Sequence, residues 1–327
     1  MIVKRPNLYF VLDASGSMAE PLPGDTRTKY YGTQVAVRDV LVEIGHRVNF
    51  GAAAFPAAVN PDGCAAGEEV FETAPGDPKE ANADGDFGPN LYALLQTLSR
   101  VKPQGGTPTA ITLDALRAKL ALLPGTTTVV LATDGAPNCN GSLLCDANHC
   151  QFNIERNMVD GHDCTPDFNC CDASLSPNAP YYCVDDDATV QAVDALAKAG
   201  IKTYVIGMPG SEHYADLLDR VAVTGQTARA GSPRYYAVAD VAQLSAAVRQ
   251  IGVEVAASCL IELDQPPPDP ARVNVYFDTT LLRSGPENGW VWISDRALEL
   301  RGSACADLKS GNIQQVQVVS GCPTMVF

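Results

Sequence analysis

Three short runs of this chain are apolar at nearly every position: LYFVL at Leu8–Leu12, TVVLAT at Thr128–Thr133 and KTYVIG at Lys202–Gly207. A strand with one face in water alternates apolar and polar residues, so an unbroken apolar run needs cover on both faces. Stretches with helical spacing lie between these runs. Val37, Val40, Leu41 and Ile44 share a face within Thr33–Arg47. Ala110, Leu113, Leu116 and Leu120 do so within Thr109–Leu122, which Pro124-Gly125 ends. Leu91–Val101, Ala188–Ala199 (closed by Gly200) and Ser211–Val223 (opened by a Ser cap) also read as helices. Asp240–Val255 carries Val241, Leu244, Val248, Ile251 and Val255 on one side. Val48–Phe55 and Tyr235–Val238 supply further strands. This alternation over residues 1–257 predicts an α/β, doubly wound, mostly parallel sheet with helices on both sides.

Two segments break the pattern. Pro56–Pro89 is rich in Gly, Pro, Asp and Asn, with an edge strand expected at Glu69–Thr73. Ala136–Asp187 has little periodicity and is too long for an ordinary connection, so function or covalent stapling must justify it. The chain holds 11 cysteines, and Cys139, Cys145, Cys150, Cys164, Cys170, Cys171 and Cys183 fall in this second segment. No C-x-x-C pair is present, and the adjacent Cys170 and Cys171 are poorly spaced for one tetrahedral ion. Disulfides in an oxidising compartment are therefore expected over zinc, with connectivity open and one thiol left over. Beyond the stiff DQPPPDP stretch, Asp264–Pro270, the period changes to two. Residues 258–327 read as a small antiparallel β unit, with Cys259, Cys305 and Cys322 as its expected staples.

The net charge of −15 argues against a nucleic-acid partner, because phosphate binding needs clustered Lys and Arg. No run of roughly 18 apolar residues exists to span a membrane. MIVKRPN runs straight into the first strand, so an export signal is expected to have been removed.

In open α/β sheets, ligands sit beyond the carboxyl ends of the strands where the strand order reverses. Asp13 ends the first strand, followed closely by Ser15 and Ser17, and Asp134 ends TVVLAT. Gly105-Gly106-Thr107-Pro108-Thr109 leads into the helix before that strand. If the two strands flank the reversal, two carboxylates and the hydroxyls of Ser15, Ser17 and Thr107 share one crevice. Oxygen-only donors suit Mg²⁺, Mn²⁺ or Ca²⁺ and leave a coordination position for an outside oxygen.

DASGS at 13–17, the Thr of GGTPT and TDG at 133–135 resemble the metal-ion-dependent adhesion site of von Willebrand factor type A domains, in order and spacing as well. The chain is also similar to surface adhesins of gliding bacteria that carry such a domain. The resemblance implies a Rossmann-like sheet with one antiparallel edge strand. It implies a metal set of Asp13, Ser15, Ser17, Thr107 and Asp134, and a protein partner that supplies a carboxylate. An extracellular or cell-surface adhesion module follows, with a surface substratum or cell-envelope partner. The alternatives are a structural surface subunit with a vestigial metal site and a metal-assisted hydrolase.

Plainer readings compete residue by residue. Ser17 and Thr107 are both good helix caps, and Asp134-Gly135 is a good turn. Glu80 to Gly85 starts like a calcium loop, but Leu91 stands where its bidentate Glu belongs. Asp185, Asp186 and Asp187 are expected to cap a helix and oppose its dipole. His149 and His162 are expected as exposed loop residues rather than zinc ligands. Of Trp290 and Trp292, which alternate with Val291 and Ile293, one is expected in a core and one half-exposed. There is no phosphate-binding G-x-x-x-x-G-K-[ST] and no G-x-S-x-G nucleophile elbow.

Overall fold

The computed structural model describes residues 4–57, 63–82, 85–141, 158–159, 162–165, 168–172, 174, 179, 183–309, 313 and 315–326. Cys145, Cys150 and His149 lie outside them. The chain divides into two compact units. One comprises Asn7–Leu123 and Thr127–Arg249, the other Met1–Pro6, Pro124–Thr126 and Gln250–Phe327.

The larger unit is built on six strands: β1 (Asn7–Asp13), β2 (Asn49–Phe55), β3 (Glu68–Pro75), β4 (Thr127–Thr133), β7 (Lys202–Gly207) and β8 (Tyr236–Ala237). A separate two-strand pair, β5 (Met158–Val159) and β6 (His162–Asp163), sits in the cysteine-rich segment. The sheet order is β3-β2-β1-β4-β7-β8. All neighbours are parallel except β2 and β3, so the expected antiparallel edge strand is present. β1 and β4 are buried along their whole length, as unbroken apolar runs require.

Helices α1 (Lys29–Ile44), α2 (Pro89–Leu98), α3 (Thr109–Leu120), α4 (Asp186–Lys198), α5 (Ala215–Thr224) and α6 (Val241–Ala256) connect the strands. Tyr9, Val11, Val129, Leu131 and Val205 share one core with Leu113 and Leu116 of α3, Val193 and Leu196 of α4 and Leu218 and Val221 of α5. The intervening side chains Leu8, Phe10, Leu12 and Val130 are equally buried and, by the two-residue period of a strand, face the opposite way.

Several boundaries differ from the sequence reading. α1 starts four residues early, because Thr28 caps it by accepting the Tyr31 N–H at 3.1 Å. Ser211 opens a 3-10 turn, Ser211–Tyr214, and not α5.

The smaller unit carries two three-stranded antiparallel sheets, in orders β11-β10-β14 and β12-β13-β9. Their strands are β9 (Leu260–Glu262), β10 (Val273–Phe277), β11 (Thr280–Leu282), β12 (Gly289–Trp292), β13 (Ala297–Arg301) and β14 (Val316–Ser320). The β9 and β11 strands and a helix, α7 (Ser303–Lys309), were not expected from the sequence. Trp290 is buried in the core with Val275, Leu298 and Val318, and Trp292 is half-buried against its edge.

Cysteines pair as Cys64–Cys139, Cys164–Cys170, Cys171–Cys183 and Cys259–Cys305. Cys322, expected as a staple, is instead exposed and free. No helix among the described residues is long and apolar enough to cross a membrane.

Candidate metal centre

The sheet order reverses between β1 and β4: the chain runs from β1 to β2 on one side and reaches β4 on the other. The two strands pair in parallel from Asn7↔Thr127 to Leu12↔Ala132. Their carboxyl ends therefore lie side by side, with Asp13 and Asp134 just beyond the pairing and both fully buried.

A chain of hydrogen bonds joins four of the five expected donors. The Ser15 N–H donates to Asp13 Oδ1 at 2.8 Å. Ser15 Oγ and Ser17 Oγ are 3.2 Å apart. The Ser17 hydroxyl donates to Asp134 Oδ1 at 2.8 Å. Ser17 lies inside a 3-10 turn, Gly16–Ala19, with its side chain spent on Asp134, so the helix-cap reading fails for it. Thr133 donates its hydroxyl to Asp13 Oδ2 at 2.6 Å and so orients that carboxylate.

Thr107 reaches the same edge on a separate loop. The Gly16 N–H donates to the Gly105 carbonyl at 3.0 Å, and the Gln104 N–H to the Ala14 carbonyl at 2.8 Å. Gly105 has φ +78°, and a Cβ there would lie 2.9 Å from Gly63 Cα, so the close approach excludes larger residues. Asn138 then clamps the Thr107 backbone from both sides. Its Oδ1 accepts the Thr107 N–H at 2.7 Å, and its N–H donates to the Thr107 carbonyl at 3.0 Å. Among the described residues the Thr107 hydroxyl makes no hydrogen bond, and it caps nothing, since α3 is capped at Pro108 without a side-chain bond. The sequence alone assigned Asn138 no role. Its signal was only that an Asn follows the strand end closely enough to turn back.

The sequence reading missed one further residue altogether. Lys29 Nζ lies 2.6 Å from Asp134 Oδ2 and 3.6 Å from Glu20 Oε2, with its side chain 7% exposed. Burial pushes both aspartic carboxyls above the usual range. For Asp13 the charge of Asp134 adds to the effect, and the Thr133 and Ser15 hydrogen bonds oppose it. For Asp134 the Lys29 ammonium and the Ser17 hydroxyl oppose it.

A divalent cation fits this donor set. All side-chain donors are hard oxygens, and two buried carboxylates against one ammonium leave a negative charge that the cluster itself does not cancel.

No family model matches this chain, and no curated protein matches it in sequence. The pilus adhesin SpaC from Lactobacillus rhamnosus GG overlays with a TM-score of 0.51 at 16% identity, covering 93% of this chain. A von Willebrand factor type A protein from Catenulispora acidiphila overlays at 0.49 and 14% identity, over 98% of this chain and 63% of that one. The vWF domain of the type V pili tip protein Mfa5 from Porphyromonas gingivalis overlays at 0.47 and 13%, over 77% of this chain and 95% of that domain. At this identity the SpaC overlay speaks for the fold alone, and this chain spans 38% of SpaC's length. The mostly parallel, doubly wound sheet with one antiparallel edge strand is the architecture that the motif resemblance implied.

The two insertions meet at this edge. The Gly106 N–H donates to the Gly63 carbonyl at 2.8 Å, and Cys64 is bonded to Cys139. Elsewhere, Asn82 Oδ1 accepts the Gly88 N–H at 2.7 Å, and Asp77 accepts the N–H groups of Asn90 and Leu91. Those side chains organise the start of α2, so Asn82 of the Glu80 to Gly85 run is engaged there; Ala83 and Asp84 lie outside the described residues. His162 is exposed with its ring beside Phe168.

Proposed function

We propose that this chain is an exported, non-enzymatic surface adhesion module. It holds a divalent cation, Mg²⁺ before Mn²⁺ or Ca²⁺, through Asp13, Ser15, Ser17, Thr107 and Asp134, and captures a carboxylate of a partner protein or cell-envelope surface there. The observation that carries this reading is the hydrogen-bonded cluster of Asp13, Ser15, Ser17 and Asp134 at the reversal point of the sheet. When bound, such an ion would offer a coordination position that the protein leaves open to an outside oxygen.

The surrounding residues have clear tasks. Thr133 and the Ser15 N–H fix the Asp13 carboxylate, Ser17 fixes Asp134, and Asn138 sets the height of the Thr107 loop. The paired cysteines fit an oxidising compartment and thus export. SpaC, which shares the fold, is a pilus adhesin. A hydrolase would need a general base beside the ion, and the two aspartates of the cluster are already engaged as donors to it.

Calorimetric titration with Mg²⁺ and Mn²⁺ tests the site. The wild-type chain takes up one ion, and D13A and D134A each lose uptake while circular dichroism shows the fold intact. D13A removes a buried carboxylate that has no cationic partner and is the decisive variant, whereas D134A strands the buried Lys29 ammonium and is expected to lower stability as well. No uptake by the wild type would leave the vestigial-site reading standing. Adhesion that persists in chelator would overturn the cation-dependent mechanism.

A further inference from the structure

Lys29 occupies an unfavourable position for an ammonium. It is the first residue of α1, at the positive end of the helix dipole, where a cation is disfavoured. Its side chain is buried, and a buried charge is tolerated only when paired. The fold nevertheless brings its Nζ to Asp134, 105 positions away, at 2.6 Å. The Lys29 N–H donates to the Glu20 carbonyl at 2.8 Å, and an isolated bridge between Pro21 and Thr28 closes the intervening loop. The backbone is therefore arranged to deliver this side chain to the cluster.

We infer that Lys29 sets the charge balance of the site: it weakens divalent-cation binding at Asp13 and Asp134, and it leaves the loaded site net positive, so that an anionic partner group binds more tightly. The inference rests on the reading that this cluster holds a divalent cation. The charges are easily followed. Among the buried groups, Asp13, Asp134 and Lys29 carry one net negative charge, and a doubly charged ion turns this to one net positive; the half-exposed Glu20 carboxylate is screened by solvent. Without the ammonium the cluster carries two negative charges, and the loaded site is neutral. Lys29 thus trades affinity for the ion against affinity for the ligand. Glu20, 3.6 Å away and half-exposed, gives the ammonium a second carboxylate on the solvent side.

A residue that only braced the fold would not move these two affinities in opposite directions. The probes are Mn²⁺ alone and then acetate on the Mn²⁺-loaded protein, both followed by water-proton relaxation. The variants are K29M and K29Q, the second keeping a hydrogen-bond donor for Asp134. At the low effective dielectric of a buried site, removing a unit charge a few ångströms from an ion changes affinity by ~10-fold or more. Both variants are expected to bind Mn²⁺ ~10-fold tighter and acetate several-fold more weakly, with K29R close to wild type. Wild-type or weaker Mn²⁺ binding by a folded K29M or K29Q overturns the inference about Lys29 and leaves the cation site intact. Failure of wild type and both variants to bind Mn²⁺ overturns the cation site itself.

Discussion

Asp185 sits just before α4 with 7% exposure, its N–H donated to the Pro137 carbonyl at 2.8 Å. It was expected to cap that helix, but its side chain makes no cap hydrogen bond. The neighbouring Asp186 and Asp187 pair with Arg220 at 3.0 and 2.8 Å. Burial first, and then the charges of Asp186 and Asp187, push the Asp185 carboxyl up to about 6. An unfolded Asp titrates near about 3.9. The folded chain therefore binds more protons than the unfolded chain between about pH 4 and 6, and Asp185 makes stability fall as pH rises through that window. D185N removes the slope. Urea denaturation should find it more stable than wild type at pH 7 by about 1–2 kcal/mol, after allowance for partial screening, and no different near pH 4. Parallel stability curves for the two proteins would show that Asp185 is not held in this state. The residue scale is also where the sequence was least readable. The aspartates and hydroxyls of the site stood out because they follow strand ends in a recognisable order. Lys29 did not, since a lone lysine before an aromatic pair has no pattern, and only the fold reveals what it meets.

At the level of elements, the buried strands were legible because burial on both faces leaves no polar position to hide them. Helix starts were less so. The first turn of α1 reads KYYG, with a cation at the dipole's positive end and a glycine whose added Cβ would lie 2.8 Å from Leu22 Cδ1. Its propensity is poor, and a cap together with tertiary packing overrides it. The partner of Cys64 was unreadable for a different reason: pairing depends on which loops the sheet edge brings together. The Cys64–Cys139 bond spans 75 positions and lies against the Thr107 loop, since a Cβ on Gly106 would be 2.7 Å from Cys139 Sγ. Replacing both cysteines with serine should cost about 2–4 kcal/mol in denaturant unfolding under non-reducing conditions. It should also weaken Mn²⁺ binding several-fold, because the Thr107 loop would lose its covalent brace and keep only its hydrogen bonds to Asn138, Gly16 and Ala14. Unchanged Mn²⁺ affinity in the destabilised variant would mean that the disulfide supports the insertions and not the site.

For the whole molecule, the division into two units makes the location of cation stabilisation a sharp question. An ion that binds only the folded site stabilises whatever opening would destroy that site, by an amount set by its concentration over Kd. The candidate donors come from the end of β1 and the turn after it, the loop before α3 and the residue after β4, which are far apart in sequence and meet only when the parallel sheet is assembled. Opening any one of them would therefore release a bound ion. Amide hydrogen exchange in Mg²⁺ at 100 times Kd should slow by up to ~100-fold in β1, β4 and residues Gln104–Thr107 relative to chelator. Amides of β10 and β14, in the unit built around Trp290, should exchange at the same rate in both conditions. Protection confined to β10 and β14 would put the ion in the other unit and remove the basis for reading the β1–β4 edge as a cation site.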